Sequence, residues 1–160
     1  MYSILFVLAL ICANLTVAIF GPWVSPINAF LLIGLDLSIR DKLHDKWNGN
    51  PIKIGGLILV AGVLSYLLNP ASGIVAIASV CAFCASMAID SFVYQKLKSK
   101  PWHVKSNGSN ISGAFADSLI FPTIAFGELI PHIVVLQFFA KVIGGFVWTL
   151  ILQRIENGRN

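Results

Sequence analysis

Residues 72–97, SGIVAIASVCAFCASMAIDSFVYQKL, hold no charged side chain before Asp90. An apolar run of this length is what a helix needs to cross a hydrocarbon layer of about 30 Å. Outward from it, the chain divides into six apolar stretches at approximately 3–20, 25–39, 52–68, 72–97, 111–126 and 131–153. The second is short and ends in charge. Any one of them could be a core helix of a soluble protein, but six in succession, without regular polar faces, could not. Hydrophobic residues make up 57% of the 160 residues and charged ones 11%, with a mean hydropathy of +0.83. A soluble domain of this size does not have that balance. The expected architecture is an all-α integral membrane protein, a single compact transmembrane domain of about six helices over residues 1–160.

The cations set the expected orientation. If the spans alternate, one side carries Arg40, Lys42, Lys46, Lys53, Lys96, Lys98, Lys100, Lys105, Arg154 and Arg159, and the other carries no Lys or Arg. The positive-inside rule then puts both termini in the cytoplasm. The outer connections are tight turns at Gly21-Pro22-Trp23, Asn69-Pro70-Ala71 and Gly127-Glu128-Leu129. A net charge of +4 and a pI near 9.1 describe a basic collar against anionic lipid head groups. The lipid bilayer is therefore the expected macromolecular partner, and nucleic acid is not. The first stretch lacks a basic leader and a convincing cleavage site and is read as a retained helix. Asn110-Ile111-Ser112 fits a glycosylation sequon but is read as a helix cap at a cytoplasmic start. Cys81 and Cys84 share one helix face; with no second pair and no nearby His they read as packing residues, and no metal site is expected.

Small residues predict where helices approach closely. Gly55, Gly56 and Gly62 serve the third span, Ala76, Ala78, Ala82, Ala85 and Ala88 the fourth, and Gly144 and Gly145 the sixth. Pro122 in the fifth span removes one backbone donor and leaves a carbonyl free.

Against this apolar background the ionisable groups stand out, because a charge inside a bilayer is costly and marks a working site. Asp90, near the inner end of the fourth span, and Asp117, about two turns into the fifth, are expected near one depth. Asp36 lies at a similar level in the second span, and Lys141 sits nearer the middle of the sixth. Asn14 and Gln137 add neutral donors and acceptors, and Asp36 with Arg40 is read as an inner gate pair. One lysine cannot neutralise all these acids, so a polar, water-accessible pocket is expected. A carboxylate accepts two parallel hydrogen bonds from an amidine-like or guanine-type edge, and a lysine or amide meets a carbonyl oxygen. Phe83, Phe92, Phe115, Phe121 and Trp148 are candidates to stack on a flat ring.

The segment SNGSNISGAFADSLIFPTIAFG, 106–127, resembles the signature of the vitamin uptake transporter (VUT) family, also called queuosine precursor transporters. Asn14 in the first span, Asp36 in FLLIGLDLSIRDKLHDKW, Asp90-Ser91 in the fourth and Lys141 in QFFAKVIGG resemble family positions in the same order. Members commonly follow the second-helix aspartate with a glutamate and a Tyr-Gly, where this chain has Ser38, Arg40 and Asp41. The resemblance implies import of a 7-deazaguanine such as 7-cyano-7-deazaguanine through a multi-pass protein of the bacterial cytoplasmic membrane. The expected substrate-binding residues are Asp90, Asp117, Lys141, Asn14, Gln137, Asp36 and Arg40. No cofactor, metal or catalytic residue is expected. No G-x-x-x-x-G-K-[ST] motif is present, so an ion or substrate gradient, metabolic trapping or an energising partner would drive uptake. Two other classes fit some of the residues. An intramembrane enzyme could use paired aspartates sharing a proton, although the Gly-x-Gly-Asp context is missing, and an assembly subunit would need no ligand.

Overall fold

The computed structural model describes residues 1–47, 50–97, 99–100 and 102–158, and every regular element among them is helical. Helix α1 spans Tyr2–Phe20. A 3-10 turn, Pro22–Val24, then leads into a short α2, Ser25–Asn28, a π-helical segment, Ala29–Ile33, and α3, Gly34–Lys46. These four pieces form one continuous but irregular column, where the sequence suggests a short regular span ending at Ile39. Helix α4 spans Pro51–Leu68, α5 Gly73–Lys96, α6 Trp102–Phe126 and α7 Pro131–Asn157.

The helix ends follow local chemistry. Proline stands in the first turn of α2, α4 and the 3-10 turns, where its missing N–H costs nothing. Asn50 and Asn69 each accept a backbone N–H two residues on, at 3.0 Å, and so cap α4 and the turn before α5. Gly21 and Gly127, with φ of 73° and 74°, reverse the chain after α1 and α6 in a region that side chains avoid. The sequon does not cap a helix: α6 begins at Trp102, so Asn110 lies two turns inside it.

Five helical stretches are long and apolar enough to cross a membrane: Tyr2–Phe20, Pro22–Leu43, Pro51–Leu68, Pro70–Val93 and Pro131–Ile155. Helix α6, expected as a sixth, falls outside that set because its first half, WHVKSNGSN, is polar. It packs along most of α5 and against α7. Helix α7 also meets α3 and the π segment, while α1 packs on α4 and α3. An apolar core of Phe6, Leu10, Leu35, Ile39, Leu43, Ile54, Ile58 and Leu152 joins α1, α3, α4 and α7.

The distribution of side chains is that of a membrane bundle. Trp23, Ile52 and Leu67 are 75%, 80% and 68% exposed, whereas Asn14, Asp36, Gln137 and Lys141 are buried. Apolar groups face outward where lipid would lie, and polar ones face one another. The cysteines, read as packing residues, are exposed on this outer surface.

The tightest crossing lies between the π segment with α3 and α7. A Cβ at Gly144 would stand 2.4 Å from the Phe30 carbonyl oxygen, and one at Gly34 2.7 Å from the Gly144 carbonyl carbon. Both collisions involve backbone, so no rotamer change relieves them. Gly55 and Gly56, expected as contact residues, have no neighbour within 4 Å, and Gly62 is in ordinary contact with Ala76. Ala76, Ala78 and Ala82 are buried as expected, but Ala88 is exposed. Gly144→Val is therefore expected to destabilise the bundle by about 1–3 kcal/mol or more. Gly56→Ala should be close to neutral, and thermal melts in detergent would measure both.

Candidate functional site

Gln137 and Lys141 are one turn apart on α7 and buried, at 1% and 3% exposure. The Lys141 ammonium ion-pairs with Asp117 Oδ2 on α6. It also donates to Ser118 Oγ at 3.1 Å and Gln137 Oε1 at 3.2 Å. An ammonium has three N–H donors, so all are used. Gln137 passes the chain on by donating Nε2–H to Ser25 Oγ on α2. The network thus ties α2, α6 and α7 together through one buried cation. Removing either charge would strand the other, at a cost of about 3–5 kcal/mol. Among the described residues, the one partner of the Asp117 carboxylate is Lys141, through Oδ2, which leaves Oδ1 to accept from a ligand.

A second network fixes α1. Asn14 Nδ2 donates to Ser65 Oγ on α4 at 3.2 Å, and Asn14 Oδ1 accepts from Ser79 Oγ on α5 at 2.8 Å. Asn28 Nδ2 donates to Thr16 Oγ1 at 2.7 Å and to the Ala13 carbonyl at 3.2 Å. A third set, at the α3–α7 crossing, joins Ser38 Oγ to the Gly145 carbonyl at 2.9 Å and to Thr149 Oγ1 at 3.0 Å.

The third network borders a neighbouring cavity, and the first two border a central cavity of about 90 Å³. Asn14, Asp36, Arg40, Asp117, Gln137 and Lys141 all line it, so six of the seven residues expected at the site come together. Asp90 does not join them. It lines a neighbouring cavity of about 520 Å³ with Asp41, Asn110 and Thr149. Leu37, Arg40, Ser86, Ala114 and Lys141 border both cavities and form the wall between them.

The reason for the separation lies in the α5–α6 register. Gly113 opposes Ser86 and Asp90, with a Cβ there reaching 3.4 Å from Asp90 Cβ. Asp117 is four residues further along α6, about 6 Å in rise. The two acids thus lie a turn apart, and Asp117 is already paired with Lys141. A proton-sharing aspartate dyad is not assembled.

Asp36 is 4% exposed, and neither of its carboxylate oxygens meets a hydrogen-bond donor. The expected pair with Arg40 is therefore not made; Arg40 Nε instead lies 3.9 Å from Asp41 Oδ1. Asp90 Oδ1 is likewise buried without a donor. Of the aromatics, Phe83 and Phe121 line the central cavity. Phe92 and Phe115 are 58% and 54% exposed, and Trp148 packs on the apolar core.

Ser25, Ser65, Ser79 and Ser118 carry much of the polar network, and the sequence alone does not single them out. Serine is an ordinary small residue in membrane helices, and only its presence beside Asp117 offered a signal. Among the described residues, no group of three His, Cys, Asp or Glu side chains could hold a metal ion.

The curated proteins and the solved structures yield no match to the chain. A family model does: the one described as "Putative vitamin uptake transporter" matches residues 3–155. That match covers every helix that builds the two cavities, and the chain belongs to the vitamin uptake transporter family.

Proposed function

We propose that this protein imports a queuosine precursor, 7-cyano-7-deazaguanine or a related 7-deazapurine, across the bacterial cytoplasmic membrane, with the central cavity as its binding site. The observation that carries this reading is the Asp117 carboxylate, paired with Lys141 through one oxygen and open at the other. A guanine-type edge presents two adjacent N–H donors. A carboxylate oxygen has two acceptor sites, so Oδ2 can serve Lys141 and the base together while Oδ1 takes the second donor. Lys141 has no donor to spare for the ring carbonyl; its part is to hold Asp117 aimed at the cavity. Gln137 and Asn14 complete the polar shell, and Phe83 and Phe121 supply flat apolar faces. Asp90, in the next cavity with Asn110, offers the same acceptor chemistry to a base on its way to the basic, cytoplasmic side.

Such a site selects by penalty. A ligand without the paired donors would leave Oδ1 of Asp117 without a partner once water is displaced, which costs more than a missing methyl group.

The test is uptake of labelled 7-cyano-7-deazaguanine, with guanine as competitor, in cells lacking their own importer and synthesis of the base. Asp117→Asn keeps the shape but removes the anionic acceptor, and uptake per folded molecule should fall about 10- to 100-fold, beyond the loss of folded protein that a stranded Lys141 causes. Normal uptake by that variant would remove Asp117 from the site. Lys141→Met should also abolish uptake, and joining it to Asp117→Asn should restore the amount of folded protein but not transport, because the stranded charge is gone while the acceptor is still missing.

A further inference from the structure

We propose that Asp36 is a proton-binding carboxyl that couples uptake to a proton gradient, a role distinct from substrate contact. This rests on the import function above. Asp36 is more than nine-tenths buried, borders the central cavity, and has no donor for either oxygen. An ionised carboxylate there would be an uncompensated charge within a membrane span.

The surroundings do not supply compensation. The charged groups bordering the same cavity are Arg40 on α3, Asp117 on α6 and Lys141 on α7. Lys141 has spent its three donors, Asp117 is held in an ion pair, and Arg40 Nε lies by Asp41. The other elements bring Asn14, Ser25, Asn28, Ser79 and Ser86 as polar lining groups, none of which titrates in the physiological range. Asn14 is committed through both amide atoms.

Of the cations available to a cell, only a proton is bound by a single carboxyl. Magnesium and calcium need a shell of several oxygens, and the described residues hold no cluster of three His, Cys, Asp or Glu side chains; sodium is set against the proton in the experiment below. Position adds to the case, since Leu37 and Arg40, beside Asp36 on α3, border both cavities. A carboxyl at this boundary can take a proton from one cavity and yield it to the other when the wall rearranges. The cycle balances simply: carboxylate plus proton gives the neutral acid on the outer side, and the acid returns the proton on the inner side. No other bond changes. With a neutral base as cargo, one positive charge moves inward per cycle.

The experiment uses the full chain in phosphatidylethanolamine–phosphatidylglycerol vesicles enclosing a pH-sensitive dye, with labelled 7-cyano-7-deazaguanine added outside. The expected result is acidification of the lumen that depends on the base, and uptake that rises when the outside is made acidic. Asp36→Asn should lose the acidification and Asp36→Glu should keep it. Uptake of label by the unaltered chain without acidification, or with a requirement for sodium instead, overturns the proposal and leaves the import function standing. Acidification by Asp36→Asn equal to that of the unaltered chain overturns it too. Absence of any binding or uptake of the labelled base by the unaltered chain removes the substrate assignment, and the coupling role with it. If Asp36→Asn does not fold, the proton movement of the unaltered chain and of Asp36→Glu decides the matter.

Discussion

Lipid offers no hydrogen bonds, so a polar group that a membrane helix carries inward is costly unless the protein answers it, and the Lys141 ammonium is the most fully answered such group in this bundle. Its three donors are met from α6 and α7, and Gln137 relays the contact to α2. The helices that could drift apart in an apolar solvent are thereby held in one register. Hydrophobic association cannot do this, because lipid tails are as apolar as leucine. Close packing and internal polar contacts remain, and the α3–α7 crossing uses both: glycine against backbone at Gly34 and Gly144, then Ser38 and Thr149 joined across the same seam.

The irregular second column follows from the same constraint. A π segment widens the helix by one residue per turn where α7 comes closest, and it sits between Asn28 and Asp36, both of which border the central cavity. π segments are rare and cluster at functional sites because they rotate the side chains that follow them. Here the segment precedes the residues that reach the cavity and its wall.

Much of this was readable in the chain. Long uncharged runs give helices by length alone, and ionisable residues within them converge because no other place in a bilayer suits them. That logic brought Asn14, Asp36, Arg40, Asp117, Gln137 and Lys141 to one cavity. It failed for Asp90, because depth along a span is legible to within a turn at best, and one turn is enough to move a carboxylate into the next cavity. It failed for the Asp36–Arg40 pair because spacing along a helix brings two residues near each other but does not choose between Asp36 and the adjacent Asp41 as partner. It failed for Gly55 and Gly56 because a small residue permits a close approach without requiring one. The serine network escaped notice because hydroxyls acquire their importance only from what faces them. The polar first half of α6 hid the length of a helix that runs well beyond its apolar core.

The wall between the two cavities has a consequence for ions that are not cargo. Arg40 and Lys141 both border it, each beside a carboxylate, Asp41 or Asp117, so a hydrated sodium or potassium ion moving from one cavity to the other would have to shed water among charges already paired, in a medium of low permittivity. An uncharged heterocycle meets no such barrier. With the proposed neutral cargo, such a wall would let the molecule cross without short-circuiting the membrane potential that sustains the cell.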